Sequence, residues 1–136
     1  MKYSKEGALK IIADHPCASM ITVDENNFPV ERVMYTAKVD DDLTVYYGTF
    51  RSSNKCAQLS ANPGIILIWP AGAGFLTLKG KAEVLDDAET LNHVWQDLFS
   101  QHFTGPTDPT FVAVKIKPVS VTYYQEGMLE TQSVDL

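Results

Sequence analysis

Residues Tyr46 to Trp69, YYGTFRSSNKCAQLSANPGIILIW, decide how the rest of the chain is interpreted. The run begins as an apolar strand, passes through a polar turn into a short helix, breaks at Asn62-Pro63 and ends in a second apolar strand. At its centre, two cationic side chains and three hydroxyl groups lie within seven residues: Thr49, Arg51, Ser52, Ser53 and Lys55. Such a cluster suits the binding of a phosphate better than a place in a hydrophobic core.

Two interpretations of this centre remain open on the residues alone. Ser52 or Ser53 can cap a short helix that runs to about Asn62. A helix N-terminus binds phosphate readily, because its first amides are unpaired and carry positive partial charge. The alternative is an ordinary helix cap beside two solvated cations. Because caps are common, the local sequence favours neither interpretation.

Composition limits the class of protein. The 136 residues, 45% of them hydrophobic, predict a single globular domain over residues 1–136. The net charge of -6 argues against a general nucleic-acid binder. No apolar run approaches the ~20 residues that span a membrane, and the first residues do not resemble a secretion signal, so we expect a cytoplasmic location. The two cysteines and three histidines show no metal-binding spacing, and we predict no metal site.

Six strands joined mostly by short turns are predicted along the chain, with one helix before them and two helices between them, which is typical of an antiparallel β-barrel. The expected strands are 17–23, 30–39, 43–48, 65–69, 75–85 and 111–124. The first helix is expected at 4–14, and a long amphipathic helix is expected from a cap at Asp86 to His102. Residues 126–136 form a tail of weak periodicity that is either loose or docked on a partner.

Side-chain alternation predicts two different faces on the strand 30–39. Val33 and Tyr35 are expected on the core side, while Arg32 and Met34 are expected on the side that meets a ligand or solvent. Alternation alone favours solvent. In the later strands, Gly80 predicts a bend or a close approach of other backbone, and Pro118 predicts an edge or a bulge.

On these residues the chain resembles the FMN-binding split-barrel proteins related to pyridoxamine 5'-phosphate oxidase, and most of all their general-stress-protein branch. The resemblance covers roughly residues 5–125. Its most specific part runs from Tyr46 through Thr49, Ser53, Lys55 and Asn62-Pro63 to Trp69. The resemblance implies a mostly β fold, a six-stranded antiparallel split barrel, and a homodimer with two FMN sites at the subunit interface.

The resemblance also assigns roles to single residues. It implies that Arg32, Ser53 and Lys55 bind the FMN phosphate. It implies that Thr49 contacts the flavin and that the backbone of Val33 and Met34 faces the isoalloxazine ring. Arg51 and Ser52 join the predicted cofactor-binding set because of their charge and hydroxyl group. No catalytic residue is predicted, since the reacting centre would be flavin N5.

The sequence departs from the oxidase pattern at the positions outside the phosphate site. Asn54 stands where the oxidase has an arginine between its serine and lysine, and Ala37 and Phe75 stand where it has a lysine and a glutamine. The basic residues that bind the oxidase's substrate have no clear counterpart near the C-terminus. The resemblance therefore supports phosphate binding more than oxidation of pyridoxamine phosphate.

Three functions are compatible with the sequence. The leading one is an FMN flavoprotein that acts as an oxidoreductase on a small organic acceptor, because side chains alone do not supply hydride chemistry. The second is a non-catalytic or stress-sensing module that binds flavin, haem or a deazaflavin. The third is a flavin-free dimer that keeps only the fold.

Overall fold

The computed structural model describes residues 2–136, which form nine β-strands, three α-helices and one 3-10 helix. In chain order these elements are β1 (Lys2–Tyr3), α1 (Lys5–Asp14), β2 (Cys17–Val23), β3 (Pro29–Tyr35), β4 (Lys38–Val39), β5 (Val45–Phe50), α2 (Asn54–Ala61), β6 (Gly64–Ala71), β7 (Gly74–Leu85), α3 (Ala88–Val94), the 3-10 helix (Asp97–Gln101), β8 (Phe111–Gln125) and β9 (Gln132–Val134). The predicted mostly β class with added helices is confirmed.

One sheet contains all nine strands. Its main path runs β1-β9-β8-β7-β6-β2-β3, and β5 joins it by pairing with β8 and with β4. The pairings are antiparallel except that of β1 with β9, and within residues 2–136 no strand pairing closes the sheet. The path places β3 at one end of the sheet, where one of its two edges has no strand neighbour among the described residues.

The predicted count of six strands is wrong, because the structure has nine. The expected strand 30–39 is divided after Tyr35. The amide of Thr36 still bonds to Pro16, just before β2, whereas the amide of Ala37 bonds to Tyr46 on β5. The two terminal strands are too short to show an alternating pattern in the sequence. One of them, β9, lies in the predicted tail and pairs with β8 and β1.

The faces predicted for β3 are reversed. Val33 is 68% exposed and Tyr35 is 38% exposed, whereas Met34 is half-buried and packs against the main core. The reason is the register with β2, in which Met34 lies opposite the buried Ala18. The alternation itself is regular, so the error concerned only which side faces the core.

The main core lies between the inner face of the sheet and helices α1 and α2. Its largest fully buried side chains include Trp69, Tyr47 and Met20. Helix α1 begins where expected, because the Ser4 hydroxyl accepts a hydrogen bond from the amide of Gly7 at 2.9 Å. Within residues 2–136, no helix is long and apolar enough to cross a membrane.

The long helix predicted up to His102 is interrupted. α3 begins after its cap Asp87 and ends at Val94, and the chain is extended at Gln96 before the 3-10 helix. The side-chain amide of Gln96 donates a hydrogen bond to the carbonyl of Ala37, which fixes this break against the sheet. The predicted apolar spacing is nevertheless used, because Val94 and Phe99 both pack in a second core cluster.

The irregularity predicted at Gly80 and Pro118 is confirmed as a bulge between β7 and β8. Gly80 lies opposite Pro118, and the register shifts between Lys79 and Gly80. A Cβ atom on Gly80 would lie 2.6 Å from the carbonyl oxygen of Lys117. The close approach of backbone at this point therefore requires glycine.

Candidate functional site

The end of β5 and the start of α2 place two of the predicted residues together. Thr49 is the next-to-last residue of β5, and Lys55 lies in the first turn of α2. The ammonium group of Lys55 donates a hydrogen bond to Thr49 Oγ1 at 3.0 Å. The tight Arg51–Ser53 turn between the two elements makes this contact possible, because it reverses the chain within a few residues.

Arg32 reaches the same region from β3. It lies opposite Met20 on β2, and Thr22 is its diagonal neighbour on the same face of the two strands. Arg32 Nη2 donates to Thr22 Oγ1 at 2.9 Å and to Gln58 Oε1 at 3.2 Å. Arg32 Nη1 is buried and has no hydrogen-bond acceptor among the described residues. One side of the guanidinium is thus held by the protein, while a donor on the other side has no partner.

Burial perturbs both cations, and the charge of Arg32 also acts on Lys55. Burial lowers the pKa of Lys55; the nearby Cys56 opposes this shift, and the charge of Arg32 lowers the pKa further. Burial also lowers the pKa of Arg32. Neither residue belongs to any of the ion pairs found within residues 2–136. Two adjacent, partly buried cations without a carboxylate form a site that favours an anion.

Ser53 occupies the N-cap position of α2 but does not act as a side-chain cap. Its backbone is extended, and its hydroxyl donates to Cys56 Sγ at 3.2 Å instead of accepting from a helix amide. No acidic side chain lies in the first turn of α2. The first amides of the helix are therefore not neutralised by a local carboxylate, which supports the phosphate interpretation over an ordinary cap.

The structure does not bring every predicted residue into this cluster. Arg51 Nε donates to the carbonyl of Pro109 at 3.0 Å, and Arg51 Nη1 lies 3.2 Å from Asp86 Oδ2. Ser52 is exposed in the turn. Val33 points outward from β3 and Met34 points toward the core, so only their backbone lies along the strand that carries Arg32.

Two residues that hold Arg32 were missed in the sequence. Thr22 is fully buried although it is polar, and Gln58 is half-buried on α2. A signal for Gln58 exists, since it lies three residues after Lys55 and therefore on the same face of the helix. Thr22 lies on the same face of β2 as Met20, but nothing in the local sequence shows that Arg32 on β3 lies beside it.

The donor set fits a phosphate group. A guanidinium with an unpartnered buried donor, an ammonium group, a serine hydroxyl and a helix N-terminus are the groups that bind phosphate in proteins. Within residues 2–136, no group of three or more histidine, cysteine or acidic side chains is placed to hold a metal ion. The cluster can bind and orient an anionic ligand, and it contains no carboxylate that would serve as a general base.

Comparison with known sequences finds relatives over the whole chain. General stress protein 26 of Bacillus subtilis (strain 168) is 25% identical over 137 residues, covering 97% of this chain and 96% of the relative. The pyridoxine/pyridoxamine 5'-phosphate oxidase of Serratia proteamaculans (strain 568) is 34% identical over 127 residues, covering 92% of this chain. The match spans only 54% of the length of that oxidase.

Solved structures share the fold. A Clostridium acetobutylicum protein related to general stress protein 26, of the pyridoxinephosphate oxidase family, superposes with a TM-score of 0.82 at 21% identity, over 95% of this chain and 92% of the other. A pyridoxamine 5'-phosphate oxidase-related, FMN-binding protein from Nostoc punctiforme gives a TM-score of 0.63 at 17% identity, over 92% and 81%. A haem-binding protein from Mycobacterium smegmatis gives 0.75 at 13% identity, over 95% and 57%.

The sequence also matches a family as a whole. The family model described as pyridoxamine 5'-phosphate oxidase matches residues 4–125, a range that contains β2 to β8 and every residue of the cationic cluster. Since that match covers most of the chain and agrees with the relatives and the fold, the protein belongs to the pyridoxamine 5'-phosphate oxidase family.

Proposed function

We propose that the protein is an FMN-binding flavoprotein that acts as an oxidoreductase on a small organic acceptor. The observation that carries the proposal is the pair Arg32 and Lys55, which lack any carboxylate partner within residues 2–136 and lie beside the N-terminus of α2. The FMN-binding neighbour from Nostoc punctiforme supports FMN as the ligand.

In this proposal each residue of the cluster has a defined task. Arg32, Lys55 and Ser53 bind the phosphate, and Thr22 with Gln58 positions the Arg32 guanidinium for it. Thr49 and the backbone of Val33 and Met34 contact the flavin ring. Arg51 and Ser52 stay predictions as further phosphate contacts, and Arg51 would first have to leave Asp86 and Pro109.

The bound flavin would supply hydride and one-electron transfer at its N5 atom. The protein's own residues bind and orient the cofactor, and the proposal assigns no side chain as an acid or base. It includes a homodimer with the flavin at the subunit interface, which the exposed Val33 and Tyr35 on the same strand as Arg32 support. The cytoplasmic location expected from the sequence stays a prediction.

A second candidate is binding without turnover, in which the protein carries or senses a flavin, haem or deazaflavin. The haem-binding neighbour from Mycobacterium smegmatis motivates it. The site favours a flavin, because a helix N-terminus and a serine beside two cations suit a phosphate dianion. A flavin-free dimer leaves the unpartnered donor of Arg32 without an explanation.

The first test is the colour of the purified protein. A flavoprotein absorbs near roughly 450 nm and releases FMN when it is denatured, so both observations together support a flavin function. Reduction of the bound flavin by a nicotinamide donor, followed by reoxidation with candidate organic acceptors, then distinguishes an enzyme from a carrier. Colourless protein that does not bind added FMN contradicts both flavin functions, and a haem spectrum supports the second candidate instead.

A further inference from the structure

The turn that connects β5 to α2 has little support from its own residues. Arg51 and Ser52 are exposed, and one backbone hydrogen bond, from the amide of Ser53 to the carbonyl of Phe50 at 3.1 Å, closes the turn. Ser53 makes no side-chain hydrogen bond to an amide of the helix. Because this turn presents Ser53 and the first amides of α2, a mobile turn would lose conformational entropy whenever it bound a phosphate.

Arg51 attaches the turn to other segments of the fold at three points. Its amide donates to the carbonyl of Thr110 at 2.8 Å, and its Nε donates to the carbonyl of Pro109 at 3.0 Å. Its Nη1 lies 3.2 Å from Asp86 Oδ2. None of these three partners belongs to the cationic cluster, so the first residue of the turn is fixed from outside the site.

The loop 104–110, to which Arg51 is attached, is organised by Asp108. One carboxylate oxygen of Asp108 accepts from the amide and the hydroxyl of Thr110 at 2.9 and 2.8 Å, and the other accepts from the amide and the hydroxyl of Thr104 at 2.9 and 3.3 Å. These hydrogen bonds, above all the one from the amide of Thr104, lower the pKa of Asp108 to about 2, so the carboxylate stays charged at neutral pH. The two carbonyls that accept from Arg51 belong to the residues that directly follow Asp108.

Both ends of this loop are fixed in the second core cluster. Phe103 and Phe111 are 6% and 0% exposed, and the centroids of their rings lie 4.8 Å apart. Phe50, the last residue of β5, packs against Phe103 with ring centroids 4.5 Å apart. The loop is therefore a support held by the core beside an exposed turn, and groups that bind a ligand need such a support to keep their positions.

We propose that Arg51 is a positioning residue that holds the 51–53 turn in the shape that binds phosphate, and that Asp108 sets the loop to which Arg51 is attached. The inference rests on the proposed function and adds to it two residues that act without contacting the ligand. Arg51 then keeps its bonds to Asp86 and Pro109 when phosphate is bound. A turn that is ordered in advance binds more tightly, because little entropy is left to lose on binding.

The sign of a charge effect separates positioning from the other roles of these residues. Asp86 and Asp108 are carboxylates in a protein of net charge -6, so their removal would strengthen anion binding if only their charge acted at a distance. If Arg51 were itself a phosphate ligand, Asp86 would compete with the phosphate for it, and removal of Asp86 would again strengthen binding. Positioning predicts weaker binding in every case.

The test compares affinities for FMN and riboflavin by fluorescence titration. Arg51→Ala and Asp108→Asn each lower FMN affinity by at least ~10-fold, because the turn is no longer ordered in advance, and leave riboflavin affinity unchanged. Asp86→Asn lowers FMN affinity by about two- to fivefold, as expected for an exposed pair, and Asp86→Glu, which keeps the carboxylate, binds as wild type. Glu130→Gln removes an exposed carboxylate in the turn before β9 and is the matched control with wild-type affinity.

Hydrogen exchange of the ligand-free protein tests the turn itself. The amides of residues 51–53 exchange faster in Arg51→Ala and Asp108→Asn than in wild type, while those of β7 do not change, which separates a local effect from a general loss of stability. Wild-type FMN affinity in both variants, tighter binding in Asp86→Asn, or unchanged exchange in the turn overturns the inference.

Titration with inorganic phosphate separates this inference from the proposed function. A wild-type protein that binds phosphate but not FMN contradicts only the proposed function, and the same losses of phosphate affinity in Arg51→Ala and Asp108→Asn then still support the inference. Variants that bind both ligands as the wild type does contradict only the inference. A wild-type protein that binds neither ligand contradicts both.

Discussion

Arg32 and Lys55 are the two residues whose environment is hardest to explain without a ligand. Burial lowers the pKa of both, and Arg32 keeps a buried donor without an acceptor among the described residues. An unsatisfied buried donor costs about 1–3 kcal/mol. A bound phosphate oxygen would accept from this donor and neutralise the charge of both side chains. Ligand binding would therefore offset the free-energy cost of the unpaired donor and of the two neighbouring charges.

The lowered pKa of Lys55 predicts how FMN affinity depends on pH. Lys55 is charged below its pKa in the free protein and neutral above it, so under the proposed function it would bind the phosphate only below that pKa. Because this pKa lies below the ordinary value of 10.5, affinity falls as the pH rises through the alkaline range toward 10.5, earlier than for an exposed lysine. Fluorescence titration of FMN between pH 7 and 10.5 measures the effect.

Two variants show whether Lys55 is the group that titrates. Lys55→Ala binds FMN more weakly at pH 7 and loses most of the further decline with pH. Lys55→Arg keeps its charge throughout the range and also gives a flatter profile. An equally steep decline in Lys55→Ala would assign the titration to a different group.

Residues of this cluster that are neighbours in the sequence can be predicted from it, whereas residues that only the fold brings together cannot. Ser53 and Lys55 lie in one turn, so a short motif is enough to predict them. Thr22 and Gln58 hold Arg32 only because β3 pairs with β2 and α2 packs beside them. Arg51 also has a distant partner that the local sequence does not show, since Asp86, 35 residues later, binds its side chain. Its role as a phosphate contact stays a prediction.

At the scale of the elements, the bulge between β7 and β8 was predicted correctly from a glycine in the middle of a strand. Gly80 has the backbone of Lys117 directly beside it. We predict that Gly80→Ala lowers stability by about 1–3 kcal/mol, because the added Cβ cannot be accommodated without moving β8. Gly105→Ala is the matched control, since a Cβ there meets no atom within 4 Å.

Thermal unfolding followed by circular dichroism measures both glycine variants. The melting temperature of Gly80→Ala falls by several degrees, and that of Gly105→Ala changes little. Equal melting temperatures for the two variants would mean that the close approach at Gly80 is not a constraint on the fold.

Elements whose course depends on distant contacts were predicted less well. The sequence has the spacing of a long helix, yet α3 ends at Val94, and Gln96 bonds to Ala37 in the segment between β3 and β4. The two faces of β3 alternate as the sequence indicates, but only the pairing with β2 decides that Val33 is outside. Periodicity therefore gives the type of an element more reliably than its end or its orientation.

The C-terminal strand was not predicted, and it has a role in the core. Val134 in β9 is 5% exposed and belongs to the main core cluster, to which Tyr3 and Tyr123 also pack. We predict that Val134→Ala lowers the free energy of unfolding by about 1–3 kcal/mol. Leu129→Ala, at a fully exposed position in the same tail, is the control and changes it by less than ~0.5 kcal/mol.

Urea denaturation measures this difference between the two tail variants. A loss in Val134→Ala together with wild-type stability in Leu129→Ala assigns the tail to the folded unit. If the two variants are equally stable, the tail is not part of the cooperative unit, and its pairing with β8 adds nothing to stability.

At the scale of the whole molecule, the fold brings three separate stretches to one place. β2 supplies Thr22, β3 supplies Arg32, and the unit of β5 and α2 supplies Thr49 and Lys55. Family membership agrees with this arrangement, because the match extends over residues 4–125 and thus includes all of them.

The central claim is that Arg32 and Lys55 bind the phosphate of a flavin, and comparison of FMN with riboflavin tests it most directly. The two ligands differ only in the phosphate, and each charge-assisted hydrogen bond contributes about 1.5–3 kcal/mol. We predict that wild-type protein binds FMN at least ~100-fold more tightly than riboflavin. In the double variant Arg32→Ala/Lys55→Ala the ratio falls by at least ~10-fold, while Lys10→Ala, which removes an exposed cation on α1, keeps it. Equal affinities of the wild-type protein for FMN and riboflavin, or an unchanged ratio in the double variant, would contradict the claim.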